Sequence, residues 1–130
     1  MSLRSPLGHA RGLGSAKEGV GHWWMQRLTA VALIPLSLWF VYSVVHFQLA
    51  DYATFLTWVR SPFVAVVLSL YFVALFYHSA LGIQVVVEDY VHSEWVKIPV
   101  LVLNKLVHFA VAVTAIYSVV RLAVSSGGLA

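Results

Sequence analysis

Long runs without a charged residue are the strongest pattern in this chain. The first run covers residues 28–50 and the second covers residues 61–87, with lengths of 23 and 27 residues. A hydrocarbon core about 30 Å thick requires roughly 20 residues of α-helix to cross it. Each run therefore predicts a transmembrane helix.

A third apolar stretch, at about 98–124, contains two cations. Lys105 and Arg121 leave 15 uncharged residues between them. At a rise of about 1.5 Å per residue the two cations lie about 24 Å apart along a helix, so each can reach a headgroup layer while its aliphatic stem stays in lipid. We therefore predict an all-α membrane protein with three transmembrane helices, at about 28–50, 62–87 and 98–124.

The basic residues are distributed unevenly around these spans. Six of the eight precede the first span or flank the second loop, namely Arg4, Arg11, Lys17, Arg27, Lys97 and Lys105. Only Arg60 and Arg121 lie at the opposite ends. The positive-inside rule then predicts a cytoplasmic N-terminus and a C-terminus on the outer side. The predicted organisation is a cytoplasmic segment 1–22, a transmembrane domain 23–125 and a tail 126–130.

The composition agrees with a membrane protein and excludes several functions. Hydrophobic residues make up 61% of the 130 residues and charged residues 10%, against roughly 45–50% and about 25% in soluble domains. The net charge of +3 is too small and too scattered to indicate nucleic-acid binding. Because the chain has no cysteine, it cannot ligate an iron–sulfur cluster or attach a c-type haem covalently. Lipid is the predicted environment.

His78 is the one histidine of the second span, and helical periodicity places Gly82, Val85 and Asp89 on the same face. Gly82 has no side chain, so a neighbouring helix or a flat macrocycle can approach the backbone closely there. A neutral imidazole in an apolar shell is a suitable axial ligand for haem iron. The alternative is a histidine that hydrogen-bonds across helices, and the residues alone favour the two interpretations about equally.

His108 in the third span lies at nearly the same depth as His78. A short loop makes these two spans antiparallel neighbours, so a haem held by both histidines is geometrically possible. A second ligand from a partner chain is preferred, because His108 lies on a face that is typical of helix packing with a satisfied polar contact. That face consists of Asn104, His108, Ala112 and Ala115.

The loop between the second and third spans carries three of the five acidic residues. Reduction of a quinone takes two electrons and two protons, so its site needs a donor to a carbonyl oxygen and a nearby acid. Tyr90 and Asp89 supply this pair, although a solvated turn is the simpler interpretation. A metal site is disfavoured because defined spacing and a fourth donor are missing; its candidate ligands are Glu88, His92 and Glu94.

Arg27 precedes the first span and has two interpretations. It is an ordinary positive-inside anchor, or it pairs with carboxylates held at the membrane edge, such as haem propionates, because guanidinium binds carboxylate with two hydrogen bonds. His22 lies about one turn earlier and can assist in the second role.

Two segments resemble one known family. Gly14 to Leu36, GSAKEGVGHWWMQRLTAVALIPL, is similar to the N-terminal signature and first helix of the hydrophobic membrane anchor subunit of succinate dehydrogenase (respiratory complex II) of alphaproteobacterial type. His78 to Tyr90, HSALGIQVVVEDY, matches that family's pattern of a histidine, ten residues and then Asp-Tyr. The resemblance covers most of the chain, from about Gly12 to the end of the third span.

The resemblance implies a role for each matching residue. It implies that His78 is an axial ligand of a b-type haem, and that a companion cytochrome b anchor subunit with three helices supplies the second ligand and completes the bundle. It further implies that Tyr90 and Asp89 bind ubiquinone, and that Arg27 lies near the haem propionates. His108 has no counterpart in the family pattern.

The implied protein is a multi-pass component of the bacterial inner membrane. The resemblance implies that a flavoprotein subunit oxidises succinate and that an iron–sulfur subunit passes the electrons to ubiquinone at the membrane. No activity is expected from this chain alone. The main alternative is a haem-free structural adaptor that docks a soluble partner; a small transporter is disfavoured because the first span has almost no polar residues.

Overall fold

The computed structural model describes Leu7 and residues 19–47 and 51–125. Its secondary structure over 19–47 and 51–125 consists of four helices joined by short connections. They are α1 (Gly19–Phe47), α2 (Tyr52–Val59), α3 (Pro62–Tyr90) and α4 (Glu94–Val124). Most of the predicted segment 1–22 and all of the predicted tail 126–130 lie outside the described residues.

Three of the helices are long and apolar enough to cross a membrane, which confirms the prediction of three spans. These stretches are Val20–His46, Pro62–Tyr90 and Glu94–Val124. Each helix extends beyond its uncharged run at one end, and α1 begins nine residues before Leu28. Residues 48–50 of the first run lie outside the described residues. Charged residues mark where lipid ends, whereas backbone hydrogen bonding continues into the interface, so the runs underestimate the helices.

The short helix α2 was not predicted from the sequence. Its N-cap residue is Asp51, whose Oδ1 accepts a hydrogen bond from the backbone N–H of Thr54 at 3.3 Å. Val59 at its end is the most deeply buried side chain among the described residues, with 1% of its surface exposed. An eight-residue helix is too short to appear as a span, and its burial depends on packing that local sequence does not reveal.

The helix α3 is central and packs against α1 on one side and α4 on the other. Near the start of α3 the core consists of Val64, Leu68 and Val119, surrounded by aromatic side chains. Trp39 of α1 stacks on Trp58 of α2 with ring centroids 5.8 Å apart. This half of the bundle, called the α2 end below, is held by apolar and aromatic packing.

The opposite half, called the basic end, is where α1 begins, α3 ends and α4 begins. Here polar side chains connect the helices: Thr29 of α1 contacts His78 of α3, and Asn104 of α4 contacts the backbone of α3. The outward faces of α1 and α4 are apolar and exposed, as shown by Leu38 at 69% and Phe109 at 71%. The polar groups that can carry chemistry are therefore concentrated between the helices at the basic end.

Candidate functional site

A cavity of about 610 Å³ lies between the first part of α1 and the last part of α3. It brings together His78, His22 and Arg27, three residues that the sequence marked as candidates. The other lining residues are Trp23, Gln26, Ala30, Gln84, Val85 and Glu88. The volume lies within the range of about 300–1,000 Å³ that is typical of ligand sites.

Helical periodicity explains why these residues face one another. On α1 the lining positions 22, 26 and 30 recur every four residues, and on α3 positions 78 and 85 are two turns apart. Because α1 and α3 run antiparallel, the N-terminal half of one faces the C-terminal half of the other. Two stripes whose nearest members, Ala30 and His78, are 48 positions apart in sequence thus form the walls of one site.

His78 is half-buried and is held from one side only. Its Nδ1 lies 2.9 Å from the hydroxyl Oγ1 of Thr29, across the α1–α3 contact. Among the described residues, the hydrogen bond of the His78 ring is the one through Nδ1, and Nε2 has no partner there. The two interpretations of His78 are therefore compatible: Nδ1 forms a hydrogen bond across the helices, and Nε2 is available to a ligand.

Gly82 lies one turn beyond His78 and leaves room for the side chain of Gln26. A Cβ added at Gly82 would lie 3.7 Å from Gln26 Nε2, which is an ordinary van der Waals distance. The nearest group is an amide side chain of α1, and a Cβ would fit beside it. The close approach of a helix or a macrocycle to the Gly82 backbone stays a prediction.

Two polar atoms of the cavity wall are buried without a hydrogen-bond partner: Nε2 of His22 and Oε1 of Gln26. Burying an unpaired polar atom costs about 1–3 kcal/mol, so such atoms indicate that a polar group belongs in the cavity. The guanidinium of Arg27 lies 4.4 Å from the ring centroid of Trp23. A cation, an unpaired imidazole nitrogen, an amide oxygen and the carboxylate of Glu88 thus lie around one cavity.

His108 lies outside this cavity, in the contact between α3 and α4. Its Nδ1 is 2.8 Å from the carbonyl oxygen of Asn104, and its Nε2 is 3.1 Å from Ser79 Oγ. Asn104 in turn donates from Nδ2 to the carbonyl oxygen of Ala80 at 3.0 Å. Since both ring nitrogens are occupied, His108 joins the two helices, in agreement with the packing interpretation of its face.

Asp89 and Tyr90 lie at the last two positions of α3 and do not line the cavity. Both are exposed, and 79% of the surface of Tyr90 is accessible. About twelve helical steps separate Tyr90 from His78, or roughly 18 Å along the helix. The candidate site therefore has two parts, a partly open cavity between α1 and α3 and the exposed end of α3.

Two polar residues near His78 were not identified from the sequence: Gln26, which lines the cavity, and Thr29, which contacts His78. They continue the spacing that starts at His22, because positions 22, 26 and 29 share one face of a helix. This polar stripe at the start of an apolar span was the signal that could have found them.

Glu88 and Glu94 have partners on their own helices, Gln84 Nε2 at 2.8 Å and Lys97 Nζ at 2.8 Å.

Comparison with known proteins gives a consistent family. The family described as succinate dehydrogenase/fumarate reductase transmembrane subunit matches residues 1–120. The succinate dehydrogenase hydrophobic membrane anchor subunit of Rickettsia bellii is 31% identical over 117 residues, which cover 90% of this chain and 94% of the relative. The protein of the same name from Paracoccus denitrificans is 28% identical over 122 residues, 94% of each chain. No solved structure gives a significant match.

Proposed function

Because the chain belongs to the family of succinate dehydrogenase/fumarate reductase transmembrane subunits, we propose that it is the membrane-anchor subunit of a succinate:quinone oxidoreductase in a bacterial inner membrane. In this role it helps to bind a b-type haem and forms part of the quinone site. The observation that carries the proposal is that His78, His22 and Arg27 line the same cavity.

The chemistry of the cavity wall fits a haem. His78 would hold the haem iron through Nε2, which is not used by the described residues, and a companion cytochrome b subunit would supply the second ligand. Arg27 and His22 would bind the propionates, a role supported by the guanidinium of the first and the buried, unpaired Nε2 of the second. When bound, the haem supplies a one-electron carrier inside the membrane.

The quinone site is proposed at the exposed end of α3. The phenol of Tyr90 donates a hydrogen bond to a carbonyl oxygen of ubiquinone, and the carboxyl group of Asp89 delivers protons as the quinone is reduced. Because this chain alone leaves both side chains exposed, the rest of the site comes from the iron–sulfur subunit and the companion anchor. We place this end at the cytoplasmic surface, in accordance with the positive-inside rule.

The succinate chemistry belongs to other subunits in this proposal. The chain contains no cysteine, so it holds no iron–sulfur cluster by thiolate ligation. A flavoprotein subunit oxidises succinate, and the iron–sulfur subunit carries the electrons to the membrane. This chain contributes binding, orientation and the exclusion of water around the cofactors.

The test is the reduced-minus-oxidised optical spectrum of the complex purified through this chain. Wild type is expected to give a b-type signal, and His78→Ala is expected to lose it. A normal signal in His78→Ala would contradict the ligand role, and a wild-type complex without haem would favour the haem-free structural adaptor. Thr114→Val on the exposed side of α4 is a control for purification.

The quinone role is tested separately in the same complex. Tyr90→Phe removes the hydroxyl and keeps the ring, so succinate:quinone reductase activity is expected to fall by about 10²–10⁴-fold if the phenol assists proton transfer. Succinate oxidation with a soluble artificial acceptor is expected to stay at the wild-type rate. Unchanged kinetics with quinone would refute the role of Tyr90.

A further inference from the structure

Thr29 is buried between α1 and α3, directly against the ring of His78. Only 8% of its surface is exposed, and its Oγ1 lies 2.9 Å from His78 Nδ1. The same hydroxyl lies 2.8 Å from the carbonyl oxygen of Met25 and 3.1 Å from that of Gln26. Three polar atoms therefore surround an oxygen that carries a single proton.

Counting protons assigns the direction of these hydrogen bonds. The two carbonyl oxygens can only accept, so the Thr29 hydroxyl donates toward Met25 and the hydroxyl oxygen accepts from Nδ1–H of His78. In the reverse arrangement the Thr29 hydroxyl would donate its hydrogen bond to Nδ1 of His78. Two carbonyl oxygens would then face the hydroxyl oxygen at 2.8 and 3.1 Å with no proton between them, which is repulsive.

We infer that Thr29 is a positioning residue for His78: it fixes the ring orientation and the tautomer that carries its proton on Nδ1. In the neutral ring Nε2 then holds a lone pair and no proton, which is the form that binds a metal. This inference rests on the proposed function, since it gives the lone pair of Nε2 a haem iron to bind. Thr29 acts through His78 and does not touch the cofactor.

The hydrogen bond also affects the electronic properties of the ligand. An imidazole whose N–H is hydrogen-bonded is a more basic ligand and stabilises the ferric state relative to the ferrous state. Loss of the acceptor at Thr29 therefore raises the reduction potential of the haem and weakens its binding. A tenfold loss of binding affinity for ferric haem relative to ferrous haem corresponds to about 59 mV for a one-electron couple.

The experiment compares Thr29→Val and Thr29→Ser in the purified complex. Valine keeps the shape and the β-branch but removes the oxygen, and serine keeps the oxygen. The readouts are haem per complex, the rate of haem loss and the reduction potential from an optical titration. Valine is expected to weaken haem binding by about 10–100-fold and raise the potential, whereas serine stays near wild type.

Thr114→Val is the matched control. Thr114 Oγ1 also donates to the carbonyl oxygen four residues earlier, at 2.8 Å, but on the exposed surface of α4 and without a histidine beside it. This variant is expected to have the wild-type potential. If Thr29→Val prevents assembly, Thr29→Ala removes the same hydroxyl with less bulk and has the same expected readouts.

The outcomes separate this inference from the proposal on which it rests. If His78→Ala loses haem but Thr29→Val and Thr29→Ala keep the wild-type potential and rate of haem loss, the positioning role is overturned while the ligand role stands. If the wild-type complex contains no haem, or if His78→Ala retains it, both are overturned. A raised potential in Thr29→Val that Thr29→Ser restores supports the inference.

Discussion

His78 and His108 lie at similar depths on the two sides of the bundle, yet their surroundings differ. Both nitrogens of His108 are bonded, to the carbonyl oxygen of Asn104 and to Ser79 Oγ. His78 is bonded only through Nδ1, and the cavity beside it contains polar atoms without partners. His108 completes a helix contact, whereas His78 leaves one nitrogen available.

The difference shows that residue type and depth do not identify a ligand in a membrane bundle. A buried polar group needs a partner, and the decisive question is whether the chain itself provides one. At His108 it does, so that histidine contributes to stability. At His78 it provides a partner for one nitrogen, which is the arrangement expected when another molecule supplies the other.

Replacing His108 is expected to have the largest effect on stability of the changes considered next. His108→Leu removes the hydrogen bond to Ser79 Oγ, which crosses from α4 to α3, and the bond to the carbonyl oxygen of Asn104, which lies within α4. A hydrogen bond between helices in a membrane is worth about 0.6 kcal/mol on average and up to about 1.7 kcal/mol. The thermal stability of the purified complex is expected to fall by about 1–2 kcal/mol, while haem per folded complex stays at the wild-type level. If a folded His108→Leu complex lost its haem, His108 would also be needed for haem binding, and the contrast with His78 would be wrong.

Asn104→Leu is expected to have a smaller effect on the same contact. It removes the one hydrogen bond from Nδ2 to the carbonyl oxygen of Ala80 and keeps a similar volume, so about 1 kcal/mol is expected. Thermal denaturation of the complex measures it. A loss as large as that of His108→Leu would mean that Asn104 also orients the His108 ring.

Gly82→Ala tests the His78 side and is expected to change little. The new methyl group would meet Gln26 Nε2 at 3.7 Å, and alanine favours helix by up to about 1 kcal/mol over glycine. The stability and haem content of the complex are expected to equal or slightly exceed those of wild type. Loss of haem would show that the space above Gly82 belongs to the ligand.

The smallest effect is expected at Asp51, which is far from both histidines. Hydrogen bonding from Thr54 lowers the pKa of this exposed carboxyl group below its ordinary value of 3.8. A lowered pKa in the folded state adds stability above the unfolded value, and this stability is lost as the pH falls through the folded pKa. Asp51→Asn should remove that small pH dependence, measured by thermal denaturation between neutral and acid pH, without changing the haem.

The three spans could be predicted because lipid imposes a length and excludes charge, and both requirements are written in single stretches of sequence. The grouping of His78 with His22 and Arg27 agrees with the resemblance to the anchor family, although the residues belong to two helices. The bond from Thr29 to His78 could not be predicted, since it depends on the rotation of α1 against α3. The helix α2 was missed because it depends on tertiary packing.

The helix α3 also sets a fixed spacing. It runs without interruption from Pro62 to Tyr90, so His78 and Tyr90 occupy one rigid rod, and neither can move along the axis without the other. Inserting one residue between them would leave both side chains chemically unchanged. It would nevertheless rotate Tyr90 by about 100° around the helix axis relative to His78 and move it by about 1.5 Å along that axis. The distance and the angle between the cavity at His78 and the exposed end at Tyr90 are therefore set by the length of α3. An insertion or deletion between the two residues would misalign the two parts of the site even if each part kept all its side chains.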